Sequence, residues 1–173
     1  MRHLAIVALS VHLSTKKMHL STFTDYSLRV LIYAAARAPE QVSLTELAEA
    51  YGISRNHLIQ VVRKLGHLDY LSTTRGRGGG IRLGKPAEDI TVAEIVRATE
   101  PGFEMAECFQ KDGKNQCRLT PVCVLRGVLS DATRAFLATL EETTLADIVA
   151  DRRAVLSALD GGSGGLLTTK NAG

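Results

Sequence analysis

Hydrophobic residues recur every three or four positions in several separate stretches of the chain, and this spacing predicts amphipathic helices. The first stretch covers residues 24–36, where Ser21 or Thr24 can cap the helix. Its apolar positions are Leu28, Leu31, Ile32 and Ala35. A further short helix is predicted at 91–99, before Pro101-Gly102 interrupts the pattern. The chain is therefore expected to be mainly helical.

Two of the predicted helices are separated by only a few residues. Ser43 and Glu46 form the pattern of a capping box that opens a short helix, and Gly52 is suited to end that helix because glycine tolerates a positive φ. Ser54 opens the next helix, which Gly66 is expected to stop. The buried positions of this second helix are Leu58, Val61, Val62 and Leu65. Two helices joined by a short glycine-containing turn predict a helix-turn-helix.

The polar face of the second helix carries side chains that can reach base edges and phosphates. They are Ser54, Arg55, Asn56, His57, Gln60, Arg63 and Lys64. Residues 70–83 then have the pattern of a strand, a glycine-rich tip and a strand, which predicts a β-hairpin wing. Arg75 and Arg77 lie at this tip, where glycines allow close approach to a DNA groove. A phosphate-binding nucleotide loop is the alternative, but the segment lacks G-x-x-x-x-G-K-[ST] and no helix start follows it.

Charge is divided unevenly along the chain, whose formal net charge is +3. Residues 51–85 hold seven basic residues and one acidic residue, whereas residues 86–173 hold nine basic and thirteen acidic residues. A concentrated positive block indicates nucleic-acid binding, with an ordinary solvated basic face as the alternative. No apolar stretch reaches the roughly 18–20 residues of a membrane span. The sequence shows no Ser/His/Asp arrangement and no pair of carboxylates of the kind that would indicate an enzyme.

Three cysteines, Cys108, Cys117 and Cys123, lie within sixteen residues, and the sequence holds no other cysteine. An odd, clustered set indicates metal or redox chemistry in a reducing compartment, so we expect a cytoplasmic protein. Sulfur ligands select iron–sulfur clusters, zinc or copper(I), and the spacing C-x8-C-x5-C is not that of a zinc ribbon. An iron–sulfur cluster is therefore favoured over zinc or unliganded cysteines. A fourth ligand must supply oxygen or nitrogen, and the candidates are Asp25, Glu104, Glu107 and Asp112.

A long helix is predicted from Thr120-Pro121, with Cys123 at about its third position. Its apolar positions are Val122, Leu125, Leu129, Ala132, Phe136 and Leu140. Such a stripe favours a homodimer that sets two recognition helices on successive major grooves of palindromic double-stranded DNA.

These patterns predict a mainly α fold with the following divisions. Residues 1–17 form a non-native, disordered extension before a functional start at Met18, and 18–100 form a winged helix-turn-helix DNA-binding domain with a small β-hairpin wing. Residues 101–123 form the iron–sulfur cluster-binding loop. Residues 120–152 form the dimerisation helix with a short following helix, and 153–173 form a disordered tail.

Several motifs resemble those of the NsrR family of nitric-oxide-sensitive repressors, which are iron–sulfur winged helix-turn-helix transcriptional regulators. The likeness runs from residue 18 to about residue 150. Besides the cysteines, it is carried by FTDYSLRVLIY from Phe23, YGISRNHL from Tyr51, RGRGGGIRLGKP from Arg75 and TTLADI from Thr143. The resemblance implies a dimeric repressor whose cluster reacts with nitric oxide, so that the operators of nitric-oxide-detoxifying genes are released.

The resemblance also implies that Asp25 ligates the cluster of the other subunit, although stabilisation of a helix N-terminus by its negative charge is the alternative. Arg126 stands where a related repressor of iron–sulfur cluster biogenesis carries a His, which argues against that relative. The gap between the first two cysteines is longer than in several members, so both [4Fe-4S] and [2Fe-2S] stay open. The competing functions are a regulator of the same family that senses iron–sulfur supply, an iron–sulfur electron-transfer protein and a zinc-stabilised DNA binder.

Overall fold

The structure is a computed structural model that describes residues 19–74, 76, 78–110, 113 and 115–160. The predicted extension 1–17 and residues 161–173 of the predicted tail lie outside the described residues. The helices are α1 (Thr22–Arg37), α2 (Leu44–Tyr51), α3 (Arg55–His67), α4 (Val92–Thr99), α5 (Val124–Glu141), α6 (Leu145–Ile148) and α7 (Arg152–Asp160). Strands β1 (Leu71–Thr73) and β2 (Ile81–Leu83) pair antiparallel, and 3₁₀ turns cover Ala87–Asp89, Glu107–Phe109 and Thr120–Val122.

The main hydrophobic core lies where α1 packs against α3 and α4. Its fully buried side chains include Val30, Leu31, Leu47, Leu58, Leu65, Ile90, Ile95 and Leu145. The predicted buried positions of α3 are confirmed, whereas Leu28 and Ile32 of α1 are only partly buried. Leu145 brings α6 into this core, so the short helix after α5 packs with the DNA-binding part of the chain. None of the described helices is long and apolar enough to cross a membrane.

Side-chain caps fix the starts of the helices around the predicted turn. The hydroxyl of Ser21, rather than that of Thr24, caps α1. The capping box of α2 is confirmed, since the Glu46 N–H donates to the Ser43 Oγ at 3.1 Å and the Ser43 N–H donates to Glu46 at 2.6 Å. Gly52 ends α2 at a φ of +63°, as expected for a residue in the left-handed region.

The predicted stop of α3 at Gly66 is wrong, because the helix continues to His67. The residue with the left-handed conformation is Asp69, whose φ is +58°, and the following Tyr70 N–H donates to the Leu65 carbonyl at 3.0 Å. Aspartate is one of the few residues besides glycine that adopts this conformation readily. The reversal that leads into the wing therefore occurs three residues later than predicted.

The predicted hairpin is confirmed, with Leu71 opposite Leu83 and Thr73 opposite Ile81. Val42, just before α2, also pairs with Ile81 through two backbone hydrogen bonds of 2.8 and 2.9 Å. The base of the wing is therefore held directly to the entrance of the helix-turn-helix.

The predicted start of the long helix at Thr120 is wrong. Thr120 begins a 3₁₀ turn, α5 starts at Val124, and Cys123 is its N-cap residue rather than its third position. The Thr120 hydroxyl donates backwards to the Cys117 carbonyl at 2.8 Å, so it does not cap the N–H groups that follow it. Local side-chain-to-backbone bonds of this kind compete with helix formation.

The predicted disordered tail is wrong for residues 153–160, which belong to α7. Arg152 donates to the carbonyl of Ala36 at 2.8 and 3.0 Å and also to that of Ala38. Arg37 forms an ion pair of 3.0 Å with Asp160. The bonds from Arg152 cap carbonyl groups at the C-terminus of α1 that lack helical partners, and the ion pair holds the end of α7 beside them.

Candidate nucleic-acid interface and cysteine segment

The polar face of α3 is exposed along its length. All seven predicted DNA-contacting residues are exposed, namely Ser54, Arg55, Asn56, His57, Gln60, Arg63 and Lys64. Among the described residues, no acidic group lies within ion-pair distance of the Arg55, Arg63 or Lys64 side chains. Their positive charge is therefore available to an external anion such as a phosphate.

The N-terminal end of α3 is tied to the neighbouring helices. Arg55 donates from Nη1 to the Thr45 Oγ1 at 2.9 Å, which joins α3 to the first turn of α2. The His57 ring lies beside the Tyr26 ring of α1, with centroids 6.0 Å apart. These contacts fix the orientation of α3 with respect to α1 and α2.

The C-terminal half of α3 borders a shallow surface cleft of about 370 Å³. Its lining residues are Phe23, Gln60, Arg63, Lys64 and His67. Phe23 comes from the first turn of α1, whereas the other four come from α3. The cleft combines two cations with hydrogen-bonding groups, which suits a backbone phosphate.

Two features of this interface were missed by the sequence analysis. Ile59 is 44 % exposed on the reading helix, where an apolar side chain can contact a thymine methyl group. Its position outside the buried stripe of α3 was the available signal. Thr45 is the second, and its contact with Arg55 comes from a neighbouring helix that spacing within α3 does not reveal.

The wing follows α3 and presents a glycine-rich tip. Gly76 and Gly78 adopt φ values of +99° and +80°, and the Gly79 N–H donates to the Gly76 carbonyl at 3.0 Å. Arg75 and Arg77 lie outside the described residues. At Gly80 an added Cβ would lie 2.9 Å from the Gln41 Cβ, so glycine is needed where the wing meets the entrance to α2.

The cysteine segment lies between α4 and α5. Cys108 is half-buried in the turn Glu107–Phe109, Cys117 is exposed, Cys123 is half-buried, and none forms a disulfide. Among the described residues, no three His, Cys, Asp or Glu side chains are grouped as a metal site. The expected convergence of the three thiols is therefore absent from the single chain.

The segment is instead held by its own hydrogen bonds. Glu107 accepts from the Gln116 N–H and so joins the two sides of the loop. Asn115 accepts from the Cys117 N–H at 3.1 Å and donates to the Thr120 hydroxyl at 3.0 Å. With these bonds in place, Cys117 lies on the surface of the segment, and its thiol is exposed to solvent.

The four candidates for an oxygen ligand differ in their surroundings. Asp25 lies in the first turn of α1 and forms an ion pair of 3.0 Å with Arg29, so its negative charge also stabilises the helix N-terminus. Glu104 and Glu107 are exposed, and Asp112 lies outside the described residues. Within one chain, none of the described carboxylates is grouped with the thiols.

Cys123 opens into a surface depression of about 700 Å³ at the start of α5. Phe109 and Arg126 line the same depression, and the Arg126 guanidinium lies 5.8 Å from the centre of the Phe109 ring. The unpaired N–H groups of the first turn of α5 are also here, and they favour anionic ligands. The depression therefore has a positive electrostatic character beside a thiol.

The two ends of α5 have different surroundings. At its C-terminal end, Glu141 forms an ion pair with Arg97 of α4, and the Phe136 ring lies 6.5 Å from that of Phe103. Near its N-terminal end, Val124, Leu125 and Val128 are 81 %, 60 % and 56 % exposed. Within the predicted stripe, Phe136 is therefore half-buried on the same chain whereas Leu125 is exposed. Val124 and Val128, which were not predicted, extend the exposed apolar part beside Cys123.

Comparison with known proteins places these features in context. Residues 20–151 match the family model described as "Rrf2: Iron-dependent Transcriptional regulator". The HTH-type transcriptional regulator NsrR of Bacillus subtilis (strain 168) is 49 % identical over 143 residues, which cover 82 % of this chain and 97 % of that relative. NsrR of Geobacillus kaustophilus (strain HTA426) is 44 % identical with the same coverages.

Solved structures also resemble the chain. Staphylococcus aureus CymR has a TM-score of 0.59 and 26 % identity, and the match covers 74 % of this chain and 95 % of CymR. T. potens IscR has a TM-score of 0.62 and 24 % identity over 80 % of this chain and 90 % of IscR, so it supports the fold alone. The predicted winged helix-turn-helix fold is confirmed.

Proposed function

The chain belongs to the Rrf2 family of transcriptional regulators, and from that premise we propose that it is a homodimeric repressor that senses nitric oxide through an iron–sulfur cluster. Its relatives are transcriptional regulators rather than enzymes. The observation that carries the sensing part is the placement of three free cysteines between the DNA-binding core and the exposed end of α5. The choice of nitric oxide follows from the motifs shared with NsrR.

In this proposal residues 18–100 bind DNA, with α3 in the major groove and the wing in the adjacent minor groove. The exposed cations of α3 support this placement, since phosphate contacts dominate affinity for DNA. Arg75 and Arg77 are assigned to the minor groove, where narrow A/T-rich sequence attracts arginine. Arg75→Ala should therefore weaken binding and flatten the preference for A/T-rich flanks. Arg153→Ala, which removes an equal charge from α7, should change neither the affinity for DNA nor the preference for A/T-rich flanks.

Cys108, Cys117 and Cys123 would hold the cluster, and Asp25 of the partner subunit is the proposed fourth ligand. The donor set fits because three thiols of one segment carry no disulfide and soft sulfur ligands select iron–sulfur clusters. The cluster supplies iron atoms that bind nitric oxide. Asp25 would have to leave its ion pair with Arg29, an exposed pair whose loss costs no more than about 1 kcal/mol.

The chain's own residues connect the cysteine segment to DNA reading. The C-terminal end of α5 is fixed to α4 through Glu141 and Arg97, whereas the N-terminal end carries Cys123 and the exposed apolar side chains. The position of the cysteine segment therefore sets the direction of the free end of α5. A hundredfold change in DNA affinity requires a coupling free energy of only about 2.7 kcal/mol.

A second subunit is the proposed cover for Val124, Leu125 and Val128. Burial of such side chains contributes about 1.5–3 kcal/mol each, which is a substantial part of the free energy of a stable dimer. The long helix of the 120–152 segment is therefore assigned to dimerisation, with the seam beside the cysteines, whereas the short following helix α6 packs in the core. A cluster that takes Asp25 from the other subunit would lie against the same seam.

The test uses the full-length chain purified without oxygen. Iron and acid-labile sulfide are measured, an absorption spectrum is recorded, and operator binding is followed by gel shift before and after nitric oxide. We expect iron with sulfide, a broad visible band, and binding that falls after nitric oxide. Protein without iron and sulfide would refute the cluster, and zinc in its place would favour the zinc-stabilised alternative.

The same preparation distinguishes nitric-oxide sensing from the alternative in which the protein senses iron–sulfur supply. Unchanged operator binding after nitric oxide, together with different promoter preferences of the cluster-loaded and cluster-free forms, would replace nitric oxide with iron–sulfur supply as the signal. Cysteine-to-alanine protein serves as the matched control, since it should not respond to nitric oxide.

A further inference from the structure

His57 differs from the other exposed polar residues of α3 because the chain holds its ring on two sides. The Ser54 Oγ lies 3.1 Å from the ring Nδ1. The Tyr26 ring of α1 lies beside the imidazole at an angle of 46°. Among the described residues, no hydrogen bond engages Nε2. The ring therefore presents one fixed nitrogen to whatever binds at α3.

The surroundings at the N-terminus of α3 favour the His57 tautomer that carries its proton on Nε2. The Ser54 Oγ accepts the His57 backbone N–H at 3.5 Å, and its own hydroxyl proton can be donated to Nδ1. The unpaired N–H groups of the first turn create a positive potential that favours a lone pair over another N–H donor at Nδ1. A neutral imidazole has one donor and one acceptor nitrogen. Nε2 is then the donor.

We propose that His57 is a specificity-determining residue that donates from Nε2–H to a base-edge acceptor in the major groove, such as the N7 of a purine. This inference rests on the proposed DNA-binding function. Base readout needs a donor of fixed position, and a ring already held by Ser54 and Tyr26 loses little freedom on binding.

Arg63 and Lys64 provide the contrast within the same helix. Both are exposed, and both line the cleft at the C-terminal half of α3. Their long side chains have no ion-pair partner among the described residues, so they suit phosphates, which carry no sequence information. The N-terminal end of α3 is therefore suited to reading bases, and its C-terminal half is suited to binding the phosphate backbone.

The experiment first selects a preferred duplex from randomised double-stranded DNA with the wild-type full-length chain, purified without oxygen. Affinities for this duplex and for a scrambled one are then measured for wild type, His57→Asn, His57→Gln and Arg63→Gln. A glutamine amide can place its nitrogen near the position of Nε2, whereas an asparagine amide reaches only the position of Nδ1. The two histidine variants therefore separate the two ring nitrogens.

His57→Asn should reduce the ratio of preferred to scrambled affinity by about 5- to 100-fold, the range for one base contact. His57→Gln should retain most of the ratio. Arg63→Gln should weaken binding to both duplexes equally and reduce the slope of log affinity against log salt by about 1. Because position 57 is exposed, circular dichroism melts of both histidine variants should match wild type.

The outcomes distinguish this inference from the function on which it rests. A wild-type chain that does not prefer the selected duplex would overturn the DNA-binding proposal itself. A discriminating wild type with an equally discriminating His57→Asn would overturn the inference alone, as would equal losses in both histidine variants. Long-range ¹H–¹⁵N spectra of the free protein provide an independent check, in which a proton on Nδ1 would also overturn it.

Discussion

Glu100 joins the end of α4 to the start of α1, and we predict that its loss destabilises the chain. Its carboxylate accepts from the Ser21 N–H at 3.0 and 3.2 Å and from the Thr24 hydroxyl at 2.6 Å. Thr24 is fully buried, and its Oγ1 also accepts from the Thr99 hydroxyl at 3.1 Å. One carboxylate therefore anchors a buried hydroxyl pair and stabilises the N-terminus of α1.

The expected loss in the free energy of unfolding follows from these contacts. Hydrogen bonds to a charged group contribute about 1.5–3 kcal/mol each, and a charge at a helix N-terminus adds about 0.3–1 kcal/mol. The contributions are not additive because the bonds share one carboxylate. Glu100→Ala should therefore lower the free energy of unfolding by about 2–4 kcal/mol. Glu100→Gln keeps an acceptor oxygen and should cost about 1–2 kcal/mol.

Urea unfolding followed by circular dichroism measures these differences. Glu88→Gln is the matched control, since Glu88 is an exposed carboxylate in the turn Ala87–Asp89, and its effect should stay within about 0.5 kcal/mol. Thr24→Val combined with Glu100→Ala tests the contact itself, because the two losses should then be strongly non-additive. A loss below about 0.5 kcal/mol for Glu100→Ala would refute the reasoning.

Four further predictions concern the cysteine segment, the proposed dimer and the capping box of α2. Cys117→Ala should abolish iron binding yet have the same urea midpoint as cluster-free wild type, because no described residue of 101–123 belongs to the main core; unfolding of the variant would mean that this cysteine is structural. Val128→Glu should convert the dimer to a monomer in sedimentation velocity, whereas Arg134→Glu, on another face of α5, should not. Ser43→Ala should lower the free energy of unfolding, measured in urea, by about 0.5–2 kcal/mol because α2 loses its cap. The backbone N–H of Ser43 lowers the pKa of Glu46, so the stability from this carboxylate is complete above the ordinary pKa of 4.5 and is lost as pH falls through the lowered value. The stability advantage of wild type over Glu46→Gln should accordingly shrink as pH falls below 4.5, and an advantage that stays constant in acid would contradict this account.

Features that depend only on residues close together in the sequence could be predicted from it. The capping box of Ser43 and Glu46 and the left-handed Gly52 are both local, so their signatures stand in the sequence itself. The start of α7 is different, because Arg152 bonds to the Ala36 carbonyl more than a hundred residues earlier in the chain. The local signals of α7 are a cap at Asp151 and the helical spacing of Val155, Leu156 and Leu159, and this segment is too short for them to predict a packed helix on their own.

The candidate site shows the same boundary between local and distant information. Helical periodicity was enough to assign the exposed face of α3, including Arg63 and Lys64. It did not reveal the contacts of Arg55 and His57 with neighbouring helices, because spacing within one helix says nothing about what packs beside it. The grouping of the thiols was likewise inferred from their proximity in sequence, and the single chain does not bring them together.

The apolar residues of α5 bear on how the cysteine segment would influence DNA binding under the proposed function. Periodicity identifies apolar positions but not what covers them, and in this helix Phe136 packs within the chain while Leu125 remains exposed. The covered part packs on α4, and the exposed part adjoins Cys123. Under the proposed function, a change in the cysteine segment would act first on the N-terminal end of α5 and on the proposed dimer seam, since the main core contains none of the described residues of that segment. In the proposed homodimer, two DNA-binding cores joined through such a seam could change their spacing while each core stays folded, which is the condition that a reversible repressor has to meet.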